Sequence, residues 1–212
     1  MTAIEALVKT HAGNALGMES VDFRCFSSTD SARRELEALL CLKNGFTAFH
    51  SALHVFPASS SSAGYNLIQW NAPDLWKNTY PPAIQGILCF AENLLGEQFC
   101  IFKSHVGILN PETGDIDQMA DTLEEWAALI TSDPHQYLAM GLAIEWQEKN
   151  GELPVGQQLV PKIPFVCGGE FEIENLYAFE SSRSMRWRGE LASQIQGLPD
   201  GTPIRFEPLG DT

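Results

Sequence analysis

Positive charge is the scarcest feature of this sequence. Its 212 residues carry 13 Lys and Arg against 27 Asp and Glu, a formal net charge of −14. A generic DNA or RNA binder needs a basic face to meet phosphate, so the balance excludes that class. The deficit is also uneven. Residues 61–160 hold 3 basic and 13 acidic groups, net −10, and between Lys103 and Lys149 there are nine acids and no Lys or Arg.

Cysteine is sparse and odd in number, and no C-x-x-C occurs. Cys25, Cys41, Cys89, Cys100 and Cys167 are therefore expected as free thiols in a reducing compartment, and the protein as cytoplasmic. Long apolar runs are missing too. The longest stretch without a charged residue, Asn44 to Pro73, contains Ser59 to Ser62, two histidines and two prolines, so it does not span a membrane. The first residues lack the basic cluster and apolar core of a secretory signal. No P-loop, G-x-G-x-x-G, H-E-x-x-H, G-x-S-x-G or solenoid repeat is present.

What is present is enough to fold. Apolar residues make up 44% and aromatics 10%, which excludes disorder despite the charge. Residues 1–20 are weakly amphipathic, with Ile4, Leu7 and Val8 at helical spacing. Val21 to Phe26 alternates as a short strand. Asp30 is a candidate N-cap for a helix from Ser31 to Lys43, ended by Asn44-Gly45. Ala52 to Phe56 predicts a strand, Ala58 to Gly64 a mobile surface loop, and Leu67 to Trp70 a further strand.

From Gly86 the pattern becomes a meander. Ile87 to Ala91, Gln98 to Lys103, Val106 to Leu109 and Asp115 to Met119 are apolar or alternating runs. The connections between them are too short for parallel crossovers, and Asn110-Pro-Glu-Thr-Gly114 is a strong turn signal. Thr122 opens a helix whose first turn carries Glu124 and Glu125. Asp133-Pro134 starts another, running to Asn150-Gly151. Ile163 to Cys167, Asn175 to Phe179 and an edge segment Pro203 to Phe206 predict strands, and residues 181–196 a helix. Together these give an α+β fold: a twisted, mainly antiparallel sheet of about six strands flanked by helices. Residues 1–30 form an extension packed on a single domain, 31–212.

Candidate chemistry is thin. His50 and His54 have the spacing of two metal ligands on a helix, but the segment is strand-like and no third ligand lies near. The acidic run 110–121 fails as a calcium loop. With Gly114 at the sixth position, Leu109 falls at the first and offers no ligand. Arg183, Arg186 and Arg188 are expected to pair with acids of the same domain or to cover the sheet with their stems. Catalytic, metal and cofactor sites are all predicted absent.

Several segments, in order, do resemble a known family. They are Leu39-Leu40-Cys41-Leu42-Lys43-Asn44-Gly45-Phe46, Ala52-Leu53-His54-Val55-Phe56-Pro57, Phe90-Ala91-Glu92-Asn93 with Gly96-Glu97-Gln98-Phe99, and Asn110-Pro111-Glu112-Thr113-Gly114. Further on come Pro164-Phe165-Val166-Cys167-Gly168-Gly169-Glu170, Asn175-Leu176-Tyr177 and Leu198-Pro199-Asp200-Gly201. The series resembles bacterial members of the SUKH superfamily, relatives of the yeast cell-wall-assembly regulator. That resemblance implies an α+β fold without shared catalytic residues, and for many members an immunity protein that neutralises a bacterial toxin.

The expectation is then a non-enzymatic protein-binding module whose partner is a basic toxin domain, such as a nuclease. The alternative is a regulatory or scaffold protein with an endogenous partner. The acids expected to meet the partner are Glu112, Asp115, Asp117, Asp121, Glu124 and Glu125, with Trp126 or Trp76 as an apolar anchor where exposed. The charge gap has a second reading, a solvated surface that keeps the protein soluble.

Overall fold

The computed structural model describes residues 1–22, 31–60, 62, 64–199 and 201–205. Turn chemistry organises its centre. Lys103 and Ser104 both take left-handed φ, 48° and 66°, and close a two-residue hairpin with Phe102 opposite His105. Such turns match the right-handed twist of the strands they join. Asn110 N–H donates to the Asp115 carbonyl at 2.9 Å and closes the next reversal.

The strands are β1 (Phe46–Ala48), β2 (Leu53–Val55), β3 (Leu88–Asn93), β4 (Gln98–Phe102), β5 (His105–Leu109) and β6 (Ile116–Ala120). They form one antiparallel sheet in chain order, β1 to β6. A separate two-stranded sheet pairs β7 (Gln157–Pro161) with β8 (Leu176–Glu180). The helices are α1 (Ala3–Ala6), continued by a π-turn over Leu7–His11, then α2 (Ser31–Leu42), α3 (Leu67–Trp70), α4 (Leu123–Ser132), α5 (Pro134–Leu138), α6 (Met140–Asn150) and α7 (Ser181–Ile195). The fold is thus α+β, with a six-stranded antiparallel sheet flanked by helices, as the pattern predicts.

Strand alternation divides the sheet into two buried faces. Phe90 and Phe99 meet Trp126 of α4 edge-on, at centroid distances of 5.0 and 5.6 Å. A bulge between Cys89 and Ala91 lets Phe90 join that face. Gln98 points the other way. Its Oε1 accepts from Trp70 Nε1 at 2.7 Å, and its Nε2 lies 3.9 Å from Met185 Sδ of α7. Cys100 shares that parity with its cross-strand neighbour Cys89. β3 is buried along its whole length because helices cover both faces. Each buried Leu or Phe there contributes roughly 1.5–3 kcal/mol.

Two basic side chains lie inside. Arg188 of α7 is 1% exposed. One guanidinium nitrogen donates to the Leu95 carbonyl in the β3–β4 turn, and the other to the Leu159 carbonyl of β7 at 3.1 Å. One side chain therefore ties the main sheet, the small sheet and α7 together. Lys77 is equally buried. Its Nζ donates to Asn71 Oδ1 and the Ile87 carbonyl, both at 2.7 Å. Burial pulls both groups below their ordinary pKa values; Glu112 and Tyr80 oppose the shift at Arg188, and Cys89 and Cys100 oppose it at Lys77.

Several sequence expectations need correction. Leu67 to Trp70 is a helix, because Asn66 and Gln69 form a reciprocal capping box. Ile163 to Cys167 is not a strand. Phe165–Cys167 is a 3₁₀ turn that follows Pro164 and ends at Gly168 with φ 89°; the strand lies earlier, at Gln157–Pro161. The helix expected from Pro134 to Asn150 is two helices, broken where Ala139 takes left-handed φ 51°. The start of the expected surface loop, Ala58 and Ser59, is buried. Of the expected edge strand, residues 203–205 form none, and Phe206 lies outside the described residues. Residues 21 and 22 are not in a strand, and 23–26, with Cys25 and the candidate cap Asp30, lie outside the described residues. Arg186 reaches the Asp74 and Leu75 carbonyls, and Arg183 lies over the Phe179 ring of β8.

The Arg188 tie makes a direct prediction. Arg188→Leu strands two buried carbonyls, each costing roughly 1–3 kcal/mol, so urea unfolding followed by tryptophan fluorescence should show a loss of about 2–6 kcal/mol. Gly96→Ala should also destabilise. Gly96 has φ 82°, and a β-carbon there would overlap Gln158 Oε1 and stand 2.9 Å from Arg188 Nη1. An unchanged unfolding midpoint in both variants would refute the tie.

Candidate protein-docking site

The β5–β6 turn is built by short-range polar bonds. Asn110 Oδ1 accepts the Glu112 N–H at 2.9 Å, and Gly114 N–H reaches the Asn110 carbonyl at 2.9 Å. Tyr80 Oη donates to the Pro111 carbonyl at 2.7 Å and pins the turn to the segment before β3. Glu112 consequently points inward and is 4% exposed. Its Oε2 accepts the Val166 N–H at 2.9 Å. Burial raises the Glu112 carboxyl above its ordinary pKa, while the Val166 amide and Arg188 pull it back.

This bond fixes the β7–β8 loop against the β5–β6 turn. The loop is further clamped by Asn175, which accepts from Ile163 N–H at 2.9 Å and donates to the Ile163 and Glu170 carbonyls at 3.0 Å. Gly169 is required there, since a β-carbon would overlap the Ile163 carbonyl oxygen. On this rigid loop apolar side chains face outward: Ile163 is 52% exposed, Val166 45% and Phe171 62%. The Phe171 ring stacks on Phe165 at 3.9 Å.

Beside the loop lies a groove of about 930 Å³. Ile84, Phe102, Ile116, Val166 and Leu198 line it, with Asp115 among them. Register places Ile116 and Phe102 on the α7 side of the sheet. It places Asp117, opposite Ile108 and in line with Phe99, on the α4 side. The groove is mixed in character, with Thr113, Asp115, Gln196 and Thr202 standing among those apolar side chains.

The predicted partner-binding residues do not share one fate. Asp115, Asp117, Asp121 and Glu125 are exposed. Asp121 Oδ1 accepts from Gln118 Nε2 at 2.7 Å and lies 3.3 Å from His105 Nδ1, while Glu125 Oε2 accepts the Asp121 N–H at 2.9 Å. Glu124 is an internal cap: its carboxylate accepts the Ala3 and Ile4 N–H groups at the start of α1, holding the N-terminal segment on α4. Glu112 is buried, so it is no surface acid. Trp76 and Trp126 are wholly buried and cannot serve as exposed anchors. The outward apolar groups are instead Ile163, Val166 and Phe171. Their sequence signal was an apolar run interrupted by Pro164 and Gly168-Gly169, which suits an exposed turn better than a strand.

A smaller cavity of about 230 Å³ lies between β1–β3 and residues 152–157. His54 Nδ1 is 3.3 Å from Glu92 Oε1, and Glu92 Oε2 accepts from Gln98 Nε2 at 2.9 Å. His54 Nε2 is buried and has no partner, so no hydroxyl is held against it as an activated nucleophile would be. His50 stands apart, in a left-handed turn with φ 56°. Among the described residues no group of three or more His, Cys, Asp or Glu side chains could hold a metal ion, and no helix is long and apolar enough to cross a membrane.

Burial of Glu112 sets a pH signature. A carboxyl whose folded pKa is raised holds its proton more tightly in the folded state. Its stabilising contribution is complete below the ordinary glutamate value and is lost as pH rises through the raised one. Glu97, also raised by burial, acts in the same sense. Glu112→Gln keeps an acceptor for Val166 and removes the titration. Urea midpoints measured across the acid-to-neutral range should therefore fall less steeply with rising pH in the variant; an unchanged slope would contradict the assignment.

No family model matches the chain, and no curated protein matches it. Among solved structures, Atu4351 from Agrobacterium tumefaciens is similar, with a TM-score of 0.51 at 11% identity over 88% of this chain and 88% of that one. At that identity the likeness is one of fold alone.

Proposed function

We propose that this protein is a non-enzymatic binding module that neutralises a basic protein partner, a bacterial toxin domain, by covering its cationic surface. The observation that carries this reading is the surface around the β5–β6 hairpin. A preorganised apolar loop and groove adjoin exposed Asp115, and the exposed carboxylates of Asp117, Asp121 and Glu125 follow within the stretch that has no Lys or Arg. Apolar loop residues supply contact area that is already ordered, which lowers the entropy cost of association. The carboxylates steer a cationic partner and speed encounter. The SUKH-like run of motifs supports an immunity role for such a module.

The test uses the toxin candidate encoded beside this protein's gene. Purified protein should bind it, and co-expression should protect cells from it. Replacing Asp115, Asp117, Asp121 and Glu125 together by Asn or Gln should slow association at low salt about tenfold or more and flatten its salt dependence. Circular dichroism confirms that the variant is folded. Unchanged association kinetics would sink the electrostatic reading. Binding to an endogenous protein instead, without protection, would favour the scaffold alternative.

A further inference from the structure

The two edges of the main sheet are treated differently. Along β1 the N-terminal segment runs as a cover: Gly13, Leu16 and Gly17 N–H groups donate to the Thr47, Gly45 and Asn44 carbonyls at 2.8, 2.9 and 2.8 Å, and Ala12 bridges Ala48. Along β6 no described segment pairs on the outer side, and Asp117 and Gln118 are exposed. An uncovered edge offers a row of backbone donors and acceptors to any incoming strand. The two sides of this edge differ chemically. On the α7 side Ile116 opens onto the groove, and Gln118 follows with Asp121 bonded to it; on the α4 side stands Asp117.

We infer that the partner binds by adding a strand to β6, and that this strand alternates apolar and basic side chains. The inference rests on the protein-binding reading above and specifies its mode. Side chains of one parity enter the groove over Ile116, and those of the other parity, Lys or Arg, meet Asp117. β6 alternates regularly from Ile116 to Gln118 and bulges at Met119, so its five residues span at most about 17 Å, enough for a short segment. A second copy is a poor occupant, since pairing β6 with itself would bring the Asp115, Asp117 and Asp121 carboxylates of both copies together.

The test uses the full chain and synthetic peptides of alternating lysine and valine. One form is unmodified, one is N-methylated at every lysine amide, one at every valine amide, and one has the same composition in scrambled order. With lysines fixed toward Asp117, parallel and antiparallel addition use opposite edges of the peptide. The unmodified peptide should therefore bind and slow amide exchange at residues 116–120. One of the two methylated forms should bind at least about tenfold more weakly, the other nearly as well as the parent. Asp117→Lys should reverse the preference toward a glutamate–valine peptide.

Equal binding of all four peptides, no binding of the unmodified one at millimolar concentration, or protection confined to another segment would each overturn strand addition. So would self-association of the chain through β6. Toxin protection that survives any of these results leaves the acidic-surface reading standing without strand addition. Toxin binding unaffected by the fourfold neutralisation removes that reading itself, whatever the peptides do.

Discussion

Arg188 is the constraint on which the arrangement rests. A guanidinium cannot shed its charge, and removing it from water costs several kcal/mol. It is retained because the β3–β4 turn and β7 each present a carbonyl that it reaches, those of Leu95 and Leu159. At the Leu95 carbonyl, Gly96 turns the chain with φ 82° and brings no β-carbon to the spot that Gln158 Oε1 and Arg188 Nη1 approach. Glycine, glutamine and arginine are interdependent there. The small sheet is held further by the Leu159 N–H, which reaches the Leu94 carbonyl at 2.8 Å, by Tyr65 Oη on Glu180, and by burial of Leu159, Val160 and Leu176.

From that anchor the candidate docking surface follows by short steps. β7 and β8, held by Arg188, carry the loop that Asn175 clamps. Glu112 lies within the electrostatic reach of Arg188 and accepts the Val166 amide. The loop therefore cannot move independently of the β5–β6 turn, which Tyr80 in turn fastens to the segment before β3. Apolar residues as exposed as Phe171 normally cost solubility; here Ile163 and Val166 are held by bonds to their own backbone, and Phe171 by its stack on Phe165. A surface ordered this way before binding loses little further entropy on binding.

The meander was legible because its signals are local. Asn110 to Gly114 is turn chemistry whatever surrounds it, and Thr122 caps α4 through its own hydroxyl, as the spacing predicts. The helix at Leu67–Trp70 has an equally local signal in Asn66 and Gln69, but four residues lack a periodicity to distinguish it from a strand. The fates of Glu112, Glu124 and Trp126 were not legible, because they depend on partners far away in sequence. Glu112 meets Val166, Glu124 meets Ala3 and Ile4, and Trp126 meets Phe90 and Phe99. Arg188 and Lys77 show the same limit. Composition gives each a solvated surface, and only the tertiary fold supplies the carbonyls that hold them inside.

The carboxylates of the charge gap therefore divide by environment. Glu112 and Glu124 are engaged by backbone amides, so their charge is spent on geometry. Asp115, three residues beyond Glu112, and Asp117 remain in water, where two charges about 4 Å apart interact by only ~1 kcal/mol and salt screens them beyond about 8 Å. Gathering such groups costs the free protein little, which is why a solubility role alone could account for them. What solubility does not account for is their position. They border a sheet edge on which no described segment pairs, and a groove lined in part by apolar side chains. A surface charge that served only to keep molecules apart would have no reason to adjoin a preformed apolar surface, whereas a surface that selects a basic, partly apolar partner requires both.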